Sequence, residues 1–276
     1  MQVARPWTSP AGPLGRLSSA SAARAVESRA ARPYEEQLAE ALTVPPAPNL
    51  LAALAGHTDV RVIAELKRSS PSRGAINPVL DAAEQVRAYA DGGAAAFSIL
   101  TEASEFGGAL SDLSIAAALG IGPCIRKDFI TDPIQLVEAR RAGAAAALLI
   151  ARALPTDALH ELVFVARMLG IEPLVEVRDE GELADALDAG ALLIGVNNRN
   201  LETLEIDAVV SERLLPFVPV THVAIYESGI KAREDVERAA SFGADAVLVG
   251  SSISAASAPR DAVAALTGVT RTRRQA

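Results

Sequence analysis

Four short glycine motifs constrain the fold of this 276-residue chain more than any other feature: Gly93-Ala94-Ala95, Gly143-Ala144-Ala145, Gly190-Ala191-Leu192 and Gly243-Ala244-Asp245. Each stands between a helical stretch and a strand-like run, and they recur at intervals of roughly fifty residues, the length of two βα units. A glycine just past a helix can take the left-handed conformation that closes it. A second connection, Leu119-Gly120-Ile121-Gly122-Pro123, is echoed by Leu169-Gly170-Ile171-Glu172-Pro173. Strands are predicted near 60–67, 95–100, 124–127, 145–150, 174–177, 192–197, 222–227 and 246–249, with amphipathic helical stretches between them. Eight strands in paired units predict an α/β fold, a closed (β/α)8 TIM barrel, with an open doubly wound sheet as the rival topology.

Residues 34–42 and 49–55 read as two short helices separated by Pro45-Pro46-Ala47-Pro48. The domain is therefore expected to span 34–276, with an N-terminal helical extension at about 34–56. Residues 1–33 are rich in Ala, Ser, Arg and Pro, hold no acid before Glu27 and lack core periodicity. They are expected to form a disordered tail outside the fold.

Composition narrows the function classes. Hydrophobic residues at 50% and charged residues at 22% suit a large buried core. A formal charge of −8 weighs against nucleic acid or an anionic membrane as partner, so any anion site must be local. Apolar runs such as 142–150 are too short to cross a bilayer, and the single cysteine, Cys124, allows no internal disulfide. A cytoplasmic protein is expected, with a monomer as the default state.

Lys67, Lys127 and Lys231 are the only lysines among 26 basic residues. A group that must release a proton cannot be Arg, so lysines retained in such a chain are candidates for chemistry. In a (β/α)8 barrel the active site forms at the carboxyl ends of the strands. There the first strand carries Glu65 and Lys67 on one face, the third ends in Lys127, and the fifth carries Glu176. The sixth ends Asn197-Asn198-Arg199-Asn200 and the seventh Glu227-Ser228-Gly229. Charges buried on five strands without a task would cost several kcal/mol each before pairing, which points to one polar mouth. Small residues at Ser228-Gly229 and Gly250-Ser251, with Ser70 on the loop after the first strand, suit a phosphate held by backbone N–H groups. His57, His160 and His222 are scattered and no metal-ligand spacing is present. Acid and base work therefore falls to Lys and Glu.

The run Ile63-Ala64-Glu65-Leu66-Lys67-Arg68-Ser69-Ser70-Pro71-Ser72-Arg73-Gly74 resembles the signature of indole-3-glycerol phosphate synthases. So do Leu100-Thr101-Glu102 with Phe106, Arg126-Lys127-Asp128-Phe129-Ile130, Leu174-Val175-Glu176-Val177, Gly195-Val196-Asn197-Asn198-Arg199-Asn200-Leu201, Glu227-Ser228-Gly229-Ile230 and Val249-Gly250-Ser251-Ser252, in the right order. The resemblance implies a phosphate-binding barrel that closes an indole ring on 1-(2-carboxyphenylamino)-1-deoxyribulose 5-phosphate. Carbon dioxide and water would be released, with no metal or organic cofactor.

It further implies a catalytic set of Glu65, Lys67, Lys127, Glu176, Asn197 and Ser228, with Lys127 as the acid that protonates the ketone. The other proton transfers remain unassigned among Glu65, Glu176 and Lys67. Arg199, beside Asn197, would fix a substrate hydroxyl or carboxylate. Ser70, Ser228, Gly229, Gly250 and Ser251 would hold the phosphate, and Phe106, Phe129, Leu148 and Leu201 would wall the aromatic ring. Two positions depart from the family pattern: Ala109 where Ser is common, and Tyr226 where a smaller residue usually precedes the Glu-Ser pair. Both bear on substrate fit. Rival readings are an Amadori-type isomerase, a Schiff-base aldolase using Lys127, or a catalytically silent phosphate-binding barrel.

Overall fold

The computed structural model of the chain describes residues 7–274. Helices α1 (Gly12–Ala31), α2 (Tyr34–Thr43) and α3 (Leu50–Leu54) precede the first barrel strand, β1 (Arg61–Leu66). The remaining barrel strands are β2 (Ala96–Leu100), β3 (Cys124–Lys127), β4 (Ala146–Ile150), β5 (Glu172–Val177), β6 (Leu193–Asn197), β7 (Val223–Glu227) and β8 (Ala246–Val249). Neighbours pair in parallel, and β1 pairs with both β2 and β8, so the sheet closes on itself. The predicted strands are all present. The largest shift is at β5, expected from 174 and observed from Glu172.

The repeat glycines do the work their spacing suggests. Gly93, Gly143, Gly190 and Gly243 take φ of +93°, +83°, +85° and +89°, each one residue beyond a helix C-cap. Side chains avoid this region, so Gly turns each helix (α4, Ala82–Asp91; α6, Pro133–Arg141; α8, Glu180–Asp188; α10, Arg233–Ser241) back into the sheet without strain. The outer ring also holds α5 (Leu110–Ala118), α7 (Thr156–Met168) and α9 (Val209–Leu214), with α11 (Ser251–Ser254) and α12 (Pro259–Ala264) after β8.

The period of two divides each strand between two cores. Val62, Ala64, Phe97, Leu149, Val175, Ile194, Tyr226 and Val247 face the helices. Ile63, Ala96, Ile125, Leu148, Leu174, Leu193, Ile225 and Leu248 fill the barrel interior. Continuing each inward ladder upward brings Glu65 above Ile63, Lys127 above Ile125, Glu176 above Leu174 and Glu227 above Ile225, by the alternation of strand faces. Tyr226 belongs to the outer set, so its bulk lies behind the barrel wall rather than in the mouth.

The expectation of a disordered tail over 1–33 is corrected by the structure. Residues 12–31 form α1, which lies against the carboxyl ends of the strands; residues 1–6 of that expectation lie outside the described residues. Leu14 and Leu17 enter the interior core, each gaining about 1.5–3 kcal/mol by burial. Farther along, the inward face is Ser18, Ser21 and Ala25, too small and polar to register as amphipathic. Polar contacts hold that part: Gln135 donates to Ser21 Oγ at 2.7 Å, Ser28 to Glu138 at 2.6 Å, and Arg29 pairs with Asp132 at 2.6 Å.

At the opposite end of the barrel the C-terminal segment is bound across the floor. Val60 N–H donates to Val269 O at 2.8 Å and Arg271 N–H to Thr58 O at 2.9 Å. Arg271 and Arg274 both pair with the buried Asp245, whose Oδ2 also accepts the Ala224 N–H at 2.8 Å.

Ala109 occupies the N-cap of α5 in extended geometry (φ −151°, ψ 148°) and provides no side-chain cap. A Ser hydroxyl there would accept one of the unpaired first-turn N–H groups. Ala109→Ser is accordingly expected to stabilise the protein by about 1 kcal/mol, read as a higher urea midpoint.

Candidate active site

The charged upper layer of the barrel is centred on Lys127 at the end of β3. Its Nζ donates to Glu227 Oε2 at 3.1 Å and lies 3.7 Å from Glu65 Oε2 and 3.8 Å from Glu176 Oε2. All three carboxylates are buried. Glu65 is in turn paired with Lys67, the residue that directly follows β1, and Lys67 Nζ stands 5.9 Å over the Phe106 ring. Two ammonium groups and three carboxylates thus share one small volume.

Two glycines make the room. A Cβ at Gly195 on β6 would collide with the Glu227 carboxylate, and one at Gly250, after β8, would collide with Glu65. These are inward positions where neighbouring strands present side chains, and only hydrogen fits beneath the carboxylates.

The charges set each other's protonation. Burial pulls the Lys127 pKa down, but Glu227, Glu65 and Glu176 together outweigh it and hold the ammonium above its ordinary range. Burial works to raise Glu65, yet Lys67 and Lys127 keep it below the usual carboxylate range. Glu176 goes the other way. Burial, reinforced by the Glu227 carboxylate, pushes it up to about 8 against the pull of Lys127. Two nearby carboxylates of different pKa are the arrangement in which one stays charged and the other carries a proton near neutrality.

Around this centre, Asn197 at the end of β6 accepts from Ser228 Oγ at 2.8 Å and from the Arg199 N–H at 2.9 Å. Ser228 has φ +66°, a conformation a non-glycine residue adopts at some cost. Asn198 holds it there, donating to Glu227 O at 3.0 Å and Ser228 O at 3.2 Å. Arg199 and Arg73 both line the mouth, and among the described residues neither has a carboxylate ion-pair partner; burial and Arg73 lower the Arg199 pKa. Ser70, which lines the same space, has a buried hydroxyl with no hydrogen-bond partner among the described residues. With Gly229, Gly250 and Ser251 it rims a recess at the ends of β1, β7 and β8. On the other side Phe106 and Phe129, with ring centroids 6.1 Å apart, join Leu148, Leu201 and Leu17 of α1 in an apolar wall.

A sequence model of the family described as "Indole-3-glycerol phosphate synthase" matches residues 17–266. The chain belongs to the indole-3-glycerol phosphate synthase family. Curated relatives agree. The chain is 48% identical over 240 residues to indole-3-glycerol phosphate synthase 1 of Streptomyces coelicolor, covering 86% of this chain and 88% of that one. It is 50% identical over 208 residues to the indole-3-glycerol phosphate synthase of a Nocardioides species, covering 75% and 80%. Among solved structures, 3-hexulose-6-phosphate synthase from Salmonella typhimurium superimposes with a TM-score of 0.61 at 15% identity, over 75% of this chain and 96% of that one. At that identity the likeness speaks for the barrel alone.

Every residue expected from the sequence to form the site of this family member lines the one recess: the charged set, Asn197, Ser228, the phosphate-side residues and the apolar wall. Glu227, the carboxylate nearest Lys127, is expected from the sequence among the polar strand ends of the mouth but not in the catalytic set, although its place in the inward ladder of β7 is the same signal that picks out Glu176 on β5. Leu17 and Pro13 also line the recess. They belong to the segment whose sequence suggested a tail.

Proposed function

We propose that the protein is an indole-3-glycerol phosphate synthase, closing the indole ring of 1-(2-carboxyphenylamino)-1-deoxyribulose 5-phosphate with loss of carbon dioxide and water. The observation that carries this reading is the meeting of Lys127 with Glu65, Glu176 and Glu227 between a recess lined by Ser70, Gly229, Gly250 and Ser251 and an aromatic wall. The reaction needs all three parts. An aromatic carbon attacks a ketone, whose oxygen takes a proton from Lys127. Carbon dioxide leaves with its bond electrons returning to the ring. The new hydroxyl then departs as water as one proton is delivered to it and another is removed from the five-membered ring. With an ionised substrate carboxylate, the sum consumes one proton per turnover.

On this reading Lys127 is the proton donor, Glu65 a fixed negative charge between two ammonium groups, and Glu176 the carboxyl group that changes state. Lys67, paired with Glu65, would serve the departing hydroxyl. Arg73 and Arg199 supply guanidiniums for the substrate carboxylate, and Ser70, Ser228, Gly229, Gly250 and Ser251 the phosphate cradle. The enzyme is then a carboxy-lyase of tryptophan biosynthesis in the cytoplasm. A Schiff-base mechanism fits poorly, because a nucleophilic lysine needs its pKa lowered, whereas three carboxylates raise that of Lys127.

The direct test mixes purified protein with the carboxyphenylamino-deoxyribulose phosphate and follows indole fluorescence and carbon dioxide together. Appearance of both is expected. A covalent adduct trapped by borohydride, with neither product, would reject the proposal.

Glu176→Gln provides a second test with opposite signs in two measurements. Loss of a general acid–base group lowers turnover by about 10²- to 10⁴-fold. Because the folded-state pKa of Glu176 is raised to about 8 from an unfolded 4.5, its contribution to stability is complete below about 4.5 and is lost as pH rises through 8. Gln never ionises. The variant is therefore expected to lose activity while its thermal midpoint gains on the wild type as pH rises from 5 to 8, as calorimetry across that range would show.

A further inference from the structure

Arg24 lies on α1, far in sequence from every group of the charged centre. Its Nη2 donates to Asp128 Oδ1 at 2.8 Å and its Nη1 stands 3.7 Å from Glu102 Oε1. Both carboxylates are buried, and each organises a turn at the barrel mouth. Asp128 directly follows Lys127. Its Oδ1 also accepts the Phe129 N–H at 2.9 Å, while Oδ2 accepts from Thr101 Oγ1 at 2.7 Å and Arg126 at 3.2 Å. Glu102 gathers the N–H groups of Ser104, Glu105 and Phe106 at 2.9, 2.8 and 3.2 Å. Among the described residues Arg24 is the one cation in contact with both carboxylates.

We propose that Arg24 is a positioning residue for the reaction: by holding Asp128 and Glu102 together it fixes the turn after Lys127 and the turn that carries Phe106, so the ammonium and the two aromatic rings keep one relative placement. This rests on the synthase reading and adds a residue of α1 to it. Without Arg24, two buried carboxylates lose a shared counter-charge and the turns they organise can move apart. Displacements of about 1 Å in a reacting group cost on the order of 100-fold in rate. The phosphate recess is built mainly from the ends of β1, β7 and β8; of the two turns only the one carrying Phe106 reaches it, through Ser69, whose N–H and hydroxyl donate to Phe106 O at 3.2 Å and Glu105 O at 2.7 Å.

The test compares three full-length variants: Arg24→Gln, Arg24→Lys and Arg29→Gln. Arg29 serves as control because it ties the same helix to the barrel through Asp132 at 2.6 Å without touching the site. Measured for each are kcat and KM with the carboxyphenylamino-deoxyribulose phosphate, inhibition by inorganic phosphate as a probe of the recess, and the thermal midpoint. For Arg24→Gln, kcat is expected to fall about 10- to 100-fold, with phosphate inhibition changed far less than kcat. Arg24→Lys, which keeps the charge on a shorter reach, should lie between that variant and the wild type, and Arg29→Gln should keep the wild-type kcat. Equal losses in Arg24→Gln and Arg29→Gln would mean that a loosened helix, not a positioned turn, is at fault, and would overturn the proposal. A wild-type kcat in Arg24→Gln would overturn it as well; where that variant does not fold, a wild-type kcat in Arg24→Lys decides the same way. Absence of turnover in the wild-type chain would instead remove the synthase reading itself, and the positioning role with it.

Discussion

Lys127→Arg is expected to leave the barrel folded and to lower turnover by about 10²- to 10⁴-fold. The substitution separates two properties that lysine combines. A guanidinium keeps the positive charge that Glu65, Glu176 and Glu227 require, so the carboxylates are not left to repel one another in a buried space. In that same field of carboxylates the guanidinium, with a higher intrinsic pKa and its charge spread over a planar fork, is a much poorer proton donor than the ammonium, so the proposed protonation of the ketone oxygen is slowed. Lys127→Met is the less informative variant, because it removes charge and proton together and destabilises the mouth. The measurement is kcat from indole fluorescence beside a thermal melt; turnover within a few-fold of wild type in a folded Lys127→Arg protein would remove Lys127 from the role of acid.

The second large effect lies at the far end of the barrel and should leave chemistry alone. Asp245 is buried between Arg271 and Arg274 and also accepts the Ala224 N–H of β7. Asp245→Ala strands two guanidiniums, one of them almost fully buried, and orphans a strand N–H group. Breaking such a cluster by removing its single acid is expected to cost about 3–5 kcal/mol, measurable as a lower urea midpoint at unchanged slope. The kcat of the fraction that remains folded should match wild type. A drop in kcat with unaltered stability would show that floor and mouth are coupled, against the layered arrangement described here.

The sequence made the barrel legible because its signals are local. A strand's alternation, a helix-closing glycine and a proline breaker each operate within a few residues, and the closed topology follows once eight such units are found. The charged mouth was legible for the same reason: Glu65 and Lys67 share a face by the period of two, and Lys127 and Glu176 end their ladders in step. What stayed hidden depends on distance. Helix α1 is held by Arg24 to Asp128 and by Arg29 to Asp132, more than one hundred positions away in sequence, and periodicity is blind to such pairs. Glu227 was visible as a residue but not as a neighbour of Lys127, because the contact spans the width of the barrel from β3 to β7.

Leu17 gives the apolar wall a practical property. It belongs to a helix that takes no part in closing the sheet, while the ammonium and carboxylate groups stand on the strands themselves. The two sets can therefore be altered separately. Trimming Leu17 opens volume beside the apolar wall without disturbing a charge, which on the proposed reading makes this position the natural starting point for an engineer seeking to admit substrates carrying chloro or methyl groups on the benzene ring. Gly195 and Gly250 offer no such freedom, since any larger residue there displaces the Glu227 or the Glu65 carboxylate.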